Sequence, residues 1–410
     1  MQTLITDALM QTPQGIEADR ILRSCVHCGF CTATCPTYRI TGNELDSPRG
    51  RIYLIKGVLE GKPSGHRTQY HLDRCLTCRA CETTCPSGVE YGKLLAIGRE
   101  LIEGKISRPW HERLVRYLLR KCLLHPQRFA ILLRSGQVLR PVLPAFLRYR
   151  IPVRSPDTGH SDNAVILHPR QVLLFSGCVQ PALAPGIHSA TVRILDRIGI
   201  TALSAVGEAC CGAISHHMTA TNEARALLRN NIDCWWPYVE RGIEAIVINA
   251  SGCGAMIREY GNLLCDDPDY AEKARCISGK VRDIAEMFSD ADLDRLKSIM
   301  QPARKAVTFH SPCSLQHGQK LAGVTENLLA KLGFPQARIP NAHICCGSAG
   351  VYSLLQSKLA EKLQADKLSE LTSGDPEVIV TSNIGCQIYL QQAATVPVRH
   401  WVEVVDDMIV

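Results

Sequence analysis

The chain is predicted to join a helical N-terminal module to two repeated α/β units, an α+α/β architecture, and three observations lead there. Eight of the 20 cysteines stand in two identical ladders, Cys25-x-x-Cys28-x-x-Cys31-x-x-x-Cys35-Pro36 and, fifty positions on, Cys75-x-x-Cys78-x-x-Cys81-x-x-x-Cys85-Pro86. Helical spacing fills the stretch between the ladders. Beyond residue 168, short apolar strand patterns alternate with helical ones, and the whole pattern occurs twice. At 410 residues, with 46% hydrophobic content, the chain is long enough for two or three domains with real cores.

The ladders come first in the chain. A Cys-x-x-Cys-x-x-Cys run wraps three thiolates around one face of a four-iron cluster, and the fourth cysteine, followed by proline, turns away to ligate the other cluster. One [4Fe-4S] cluster then takes Cys25, Cys28, Cys31 and the distant Cys85, and the other takes Cys75, Cys78, Cys81 and the distant Cys35. Structural zinc needs only four ligands in a tetrahedron and has no use for a third close cysteine and a fourth before proline. Disulfides fit less well still, because cysteines three apart rarely have bridging geometry, and a chain start without a basic segment and apolar run implies a reducing compartment. Ser47-Pro48-Arg49-Gly50 reads as a helix start, with Ile52, Ile55 and Leu59 at helical spacing behind it. Residues 1–105 are therefore expected to form an all-helical ferredoxin-type domain, unlike the small β-rich ferredoxins.

The formal net charge of +7 is unevenly placed. Between Gly104 and Arg154 stand ten Arg and two Lys against one acid, Glu112, with Trp110, Leu114, Val115, Leu118, Leu119, Leu123, Leu124, Leu132 and Leu133 among them. Residues 106–168 read as basic amphipathic helices broken by Pro126, Pro141 and Pro144, suited either to an anionic bilayer or acidic partner, or to a linker whose leucines pack on a neighbouring domain. Nucleic acid is disfavoured, since no binding motif or interleaved aromatics accompany the charge. No window approaches the length of apolar chain that spans a membrane.

Gln171–Ser176 and Ala245–Asn249 read as buried strands and Ala190–Ile198 as a helix. Cys178, Cys210-Cys211-Gly212 and Cys253 recur as Cys313, Cys345-Cys346-Gly347 and Cys386, the first three cysteines shifted by 135 and the last by 133. Val281-Arg-Asp-Ile-Ala-Glu286 likewise matches Val398-Arg-His-Trp-Val-Glu403. Residues 169–290 and 303–410 are expected to be two copies of one unit related by a pseudo-twofold. Adjacent cysteines diverge, so a Cys-Cys pair suits an extended cluster or redox thiols better than one tetrahedral metal, and the glycine admits close backbone or positive φ. Several of these cysteines follow predicted strands, where α/β sheets gather ligands.

The doubled pattern resembles the Cys-Cys-Gly domain family of heterodisulfide reductase, lactate-utilisation, anaerobic glycerol-3-phosphate dehydrogenase and glycolate oxidase subunits. That family's fuller pattern ends each copy with Cys-x-x-Cys, but here the earlier position is Ala250 in the first copy and Asn383 in the second. Each copy keeps four candidate ligands of a further metal centre, Cys178, Cys210, Cys211 and Cys253, and Cys313, Cys345, Cys346 and Cys386. Redox thiols and structural loops are the alternatives.

The whole chain, through Ile21–Tyr38, Pro48–Lys56, His71–Cys78, Asn230–Asp233 with Trp235-Trp236, and Ile344–Gly350, is similar to the iron–sulfur subunits of bacterial glycolate oxidase, or glycolate dehydrogenase. The resemblance implies separate FAD-bearing subunits that oxidise glycolate to glyoxylate, with this chain passing the electrons to a quinone or another acceptor. It implies an oxidoreductase subunit, cytoplasmic and peripheral on the inner face of the membrane. The related lactate, glycerol-3-phosphate and heterodisulfide complexes are the alternative settings.

No Gly-x-Gly-x-x-Gly opening a βαβ unit and no acid–base constellation for a 2-hydroxy acid is visible, so no catalytic residue is assigned. Cys122, Cys234, Cys265 and Cys276 lie outside ligand spacing and are expected to be buried small hydrophobes. His27 is read as a neighbour of the ligands, His216, His217, His310 and His343 either as groups behind the repeat cysteines or as satisfied loop residues, and Trp235-Trp236 as core or interface.

Overall fold

The structure is a computed structural model that describes residues 1–144, 148, 151–153, 167–302 and 306–409. It divides into two compact units, the first made of residues 1–117, 217–219 and 343–367, the second of 118–216, 220–342 and 368–410. Arg150 and Arg154 of the basic stretch lie outside the described residues, as do 303–305 at the head of the expected second copy.

The first unit is built of helices joined by loops, with no strand among its described residues. Thr12 and Ser47 cap the helices Pro13–Ser24 and Pro48–Leu59 by accepting from the Gly15 and Gly50 amides, each helix having proline at its first position. Such a cap is worth about 1 kcal/mol. The helical spacing of Ile52, Ile55 and Leu59 places them in one core with Ile21, Leu22, Leu72, Leu94 and Leu95. Each fully buried side chain of this kind contributes ~1.5–3 kcal/mol. The Tyr91–Lys105 helix meets Pro48–Leu59 at Gly98, where a Cβ would lie 2.6 Å from Ile55 Cγ1. These helices leave the ladders as the loops between them.

The second unit holds two parallel sheets. The first, in the order β2-β1-β3-β4, comprises β1 (Arg170–Phe175), β2 (Ile200–Leu203), β3 (Ala245–Ile248) and β4 (Val281–Asp283). The second, in the order β5-β6-β7, comprises β5 (Val307–His310), β6 (Val378–Thr381) and β7 (Val398–His400). β1, β3 and β4 thus correspond to β5, β6 and β7. Only an isolated bridge, Val307 to Gln336, stands where the second sheet would have its fourth strand. Pro335 precedes that bridge and has no amide to extend a ladder. Strands β3, β5 and β6 are buried at every residue, as parallel strands covered on both faces require.

The matching segments after β4 and β7 both close as capping boxes: Asp283 with Glu286, and His400 with Glu403. Both first residues are wholly buried. Burial drives the Asp283 carboxyl up to about 7 and the His400 imidazole down to about 4. The His400 ring bonds the Asn249 carbonyl at 2.9 Å, and the Ser251 amide donates to the Ser382 carbonyl at 3.1 Å, so the two copies are joined across buried backbone. Val247, Val380, Trp401 and Leu195 share one apolar core.

Candidate functional site

The two ladders fold alike. Cys25 follows the Pro13–Ser24 helix, and Cys75 follows the helix His66–Asp73. His27 and Gly29 in the first ladder, and Thr77 and Arg79 in the second, take positive φ between 54° and 84°, bending each run back on itself. Only one of the four is glycine. The strain at His27, Thr77 and Arg79 costs on the order of 1–3 kcal/mol each and is the kind held in place at functional sites. One-turn helices, Phe30–Ala33 and Ala80–Thr83, then carry the third cysteine, and Pro36 starts the helix that turns Cys35 aside.

Cys25, Cys28, Cys31 and Cys85 line one cavity; Cys35, Cys75, Cys78 and Cys81 line another. Cys81 also reaches the wall of the first. All eight thiols are unbridged, and Cys28 is the exposed one. Burial, with the neighbouring Cys25 and Cys35, pushes the Cys31 thiol up to about 11. Burial, with Cys78, Cys75 and Cys35, raises Cys81 well above the ordinary thiol range. Thiols crowded like this cannot ionise together unless a cation shares the site, which is what a metal cluster supplies. The donor sets therefore fit iron–sulfur clusters. Around them the Val89 amide donates to Cys85 Sγ at 3.5 Å and the Tyr91 hydroxyl to Cys75 Sγ at 3.6 Å.

In the second unit Cys178 follows β1, and Cys253 lies in the Ser251–Ile257 helix after β3. Their sulfurs join the Cys210-Cys211 pair in a hydrogen-bonded row, Cys178 to Cys210, Cys210 to Cys211 and Cys211 to Cys253. Bonds from Cys178 and Cys211 hold the Cys210 thiol well below its ordinary value, while those two are raised. Asn231 Nδ2 donates to the Cys210 carbonyl at 3.1 Å and the Tyr260 hydroxyl to the Cys211 carbonyl at 3.0 Å, fixing the backbone of the pair. Gly212 follows with φ +86°.

The second copy is divided. Cys313 and Cys386 belong to the second unit, whereas Cys345, Cys346 and Gly347 belong to the first. Asn383, at the position where the family pattern has cysteine, donates from Nδ2 to Cys386 Sγ at 3.4 Å. Its counterpart Ala250 is a buried residue at the start of the Ser251–Ile257 helix. In the first unit the Tyr352 hydroxyl donates to the Arg74 carbonyl at 3.1 Å, fastening the segment that bears Cys345 beside the start of the second ladder. Burial, with the nearby Cys75, raises the Tyr352 phenol.

Among the remaining residues, Cys265 is exposed, contrary to its expected burial, because it follows the last turn of the Tyr260–Leu263 helix at the surface; Cys122, Cys234 and Cys276 are half-buried. Trp235 is core, packed edge-on to Phe175 and stacked on Tyr260, while Trp236 donates to Glu240 at 2.7 Å. The basic stretch forms the helices Trp110–Leu123 and Pro126–Leu139. Arg108 and Arg116 pair with Asp73 at 2.6 and 3.3 Å, and Arg120 pairs with Glu223 at 2.9 Å. Trp110, Leu114, Val115, Tyr117, Leu118, Ile131 and Leu132 remain exposed. Among the described residues no helix is long and apolar enough to cross a membrane.

Four-thiol cavities in pairs, ahead of two Cys-Cys-Gly units on parallel sheets, define a cysteine-rich iron–sulfur protein of the electron-transfer class. Residues 21–89 match the model of the 4Fe-4S dicluster domain, and 172–258 and 307–391 that of the cysteine-rich domain. The chain belongs to the family of glycolate oxidase iron–sulfur subunits. It is 49% identical over 406 residues to the glycolate oxidase iron-sulfur subunit of Escherichia coli (strain K12), covering 99% of this chain and 98% of that one. It is 31% identical to the probable glycolate oxidase iron-sulfur subunit of Bacillus subtilis (strain 168), over 90% and 88% of the two chains. Lactate utilization protein A of Bacillus licheniformis is more distant, 24% identical over 53% of this chain and 88% of its own. Among solved structures, a hypothetical protein from Helicobacter pylori shares the fold at TM-score 0.52 and 9% identity, over 99% of this chain and 73% of that one.

Proposed function

We propose that this chain is the electron conductor of a glycolate-oxidising complex, taking electrons from FAD-bearing partner subunits that convert glycolate to glyoxylate and passing them toward a quinone or another acceptor. The observation that carries the proposal is the pairing of eight unbridged thiols as two sets of four in adjacent cavities of one unit. Cys25, Cys28, Cys31 and Cys85 would hold one [4Fe-4S] cluster, and Cys35, Cys75, Cys78 and Cys81 the other. Each cluster supplies one-electron storage when bound, which lets a two-electron flavin be drained in single steps. The protein's part is to hold the sulfurs, exclude water from the buried ones and donate hydrogen bonds to them from Tyr91 and the Val89 amide.

The Cys-Cys-Gly units are two copies of one α/β fold related by a pseudo-twofold. The row Cys178, Cys210, Cys211 and Cys253, with its fixed backbone, would hold a further iron–sulfur centre, and Cys313, Cys345, Cys346 and Cys386 are the matching set. The domain division is 1–105, 106–168, 169–290 and 303–410. The exposed apolar side chains between Trp110 and Leu132, beside basic residues, support peripheral contact with the inner face of the cytoplasmic membrane.

Cys28→Ser tests the central claim. Glycolate turnover by the assembled complex should be lost while glycolate still binds to, and bleaches, the flavin of the partner. Full turnover in that variant would refute it. Anaerobic iron and sulfide counting bears on the further centre, with about eight iron atoms restricting metal to the ladders and about twelve or more placing it in the Cys-Cys-Gly units as well.

A further inference from the structure

Arg51 is the least expected residue of the first unit. It lies on the Pro48–Leu59 helix, its side chain is 1% exposed, and it lines the cavity of Cys35, Cys75, Cys78 and Cys81 but not the other. An isolated buried charge is costly, and cations are buried when something anionic needs them. Its Nε donates to the His71 carbonyl at 2.8 Å, and both terminal nitrogens donate to Thr37 Oγ1 at 3.1 Å. Asp46 is 3.6 Å away, but that wholly buried carboxylate is already held by Arg74 at 2.6 Å and by the His71 ring at 2.9 Å. Two guanidiniums thus face one carboxylate, and the excess positive charge lies beside the thiolates. Arg51 shares the lining of this cavity with Cys35 and Cys75. The buried Tyr91, which lines both cavities, donates its hydroxyl to Cys75 Sγ.

Resting on the reading that this cavity holds a cluster, we infer that Arg51 is its built-in counter-charge and sets the cluster's reduction potential without touching that of the first cavity, with the Tyr91 hydrogen bond to Cys75 Sγ adding to the effect. One electron, supplied by the flavin of the partner, adds one negative charge to a thiolate-ligated centre. Burial disfavours that added charge, whereas a fixed cation nearby and a hydrogen bond to sulfur favour it. Because a guanidinium is always protonated, the compensation needs no proton uptake with the electron. Arg49, which lines the first cavity, is not equivalent, since its side chain is 37% exposed and paired with Glu44 at 2.8 Å, so solvent and that carboxylate screen it.

The test is EPR-monitored redox titration of the anaerobically purified protein, with the second cavity's signal identified as the one lost in Cys78→Ser. Arg51→Gln should lower that midpoint enough to cut the reduced-to-oxidised ratio at fixed potential at least tenfold, about 59 mV for one electron. The first cavity's midpoint should stay in place. Arg51→Lys should recover most of the shift, and Tyr91→Phe, the milder change if Arg51→Gln loads iron poorly, should move the same signal down by less. Unchanged midpoints in Tyr91→Phe and in a loaded Arg51→Gln, or equal shifts of both signals in Arg51→Gln, would overturn the inference. A wild-type protein without two cluster signals would instead overturn the reading on which it rests.

Discussion

Gly347→Ala is the perturbation for which the structure gives the sharpest magnitude, because Gly212 provides an internal control at the same place in the first copy. Both glycines hold left-handed backbone, φ +91° and +86°, which costs an alanine ~1–2 kcal/mol. The neighbours differ. A Cβ at Gly347 would lie 2.7 Å from the Ala360 carbonyl oxygen, part of the Ser357–Leu371 helix, and 3.0 Å from Leu363 Cβ. Neither atom can yield without moving backbone, and such overpacking costs a further ~1–3 kcal/mol. At Gly212 the close atom is Leu228 Cδ1 at 2.6 Å, the end of a side chain that can swing aside for ~0.5–1.5 kcal/mol. The expected losses are therefore roughly 2–5 kcal/mol for Gly347→Ala and roughly 1.5–3.5 kcal/mol for Gly212→Ala. At ~2–4 °C per kcal/mol, the first should melt roughly 4–20 °C below wild type and below the second. Parallel scanning calorimetry of the two variants, purified anaerobically and matched for iron, measures the difference. A Gly212→Ala protein that melts as low as Gly347→Ala, or lower, would refute the reasoning.

Crossed ligation predicts that Cys85→Ser removes the same EPR signal as Cys28→Ser, although Cys85 stands in the second ladder, and that Cys35→Ser removes the signal lost in Cys78→Ser; losses that follow the ladders instead would refute it. Asp283, with its carboxyl at about 7 in the fold against about 3.9 unfolded, contributes stability that is present below pH ~4 and lost as the pH rises to 7. That difference is worth ~4 kcal/mol at most, so Asp283→Asn should gain on wild type in melting temperature between pH 5 and 8, and parallel curves would count against it. His400, at about 4, works in the opposite sense: its contribution is complete above pH ~6.5 and fades as the pH falls toward 4. Leu114→Asp with Val115→Asp should abolish sedimentation with vesicles of anionic lipid at unchanged iron content; undiminished sedimentation would remove the case for membrane contact.

The ladders, the helix start at Ser47-Pro48, strands β1 and β3 and the doubled Cys-Cys-Gly pattern were legible because each is local: a spacing, a cap or a short apolar run. β4 and β7 are only three residues long, too short for periodicity, and showed themselves only as matching segments of the repeat. β2 escaped because Ile200 is its one β-branched apolar residue and the segment is made a strand by its place beside β1. Arg51 sits between Gly50 and Ile52 on a helix, where arginine is ordinarily a solvated residue. Its burial comes from partners 14 and 20 positions away, Thr37 and His71, and no spacing rule links those. The exposure of Leu114 and Leu118 was equally hidden, since an amphipathic pattern says that a face exists and not what covers it.

The membership of residues 343–367 in the first unit bears on how the protein is made. A ribosome delivers the ladders early, and the capping, the core around Ile55 and the one-turn helices can form as they emerge. The unit as it stands also includes Tyr352, bonded to the Arg74 carbonyl, and Tyr352 is made some 280 residues later. The ladders therefore wait, through the synthesis of most of the second unit, without the side chain that packs beside Cys75. During that interval the thiols are open to oxidation and to premature metal. A protein built in this order places a demand on its cell: the machinery that delivers iron and sulfide must either act on the unfinished chain or shield it until the last strap arrives.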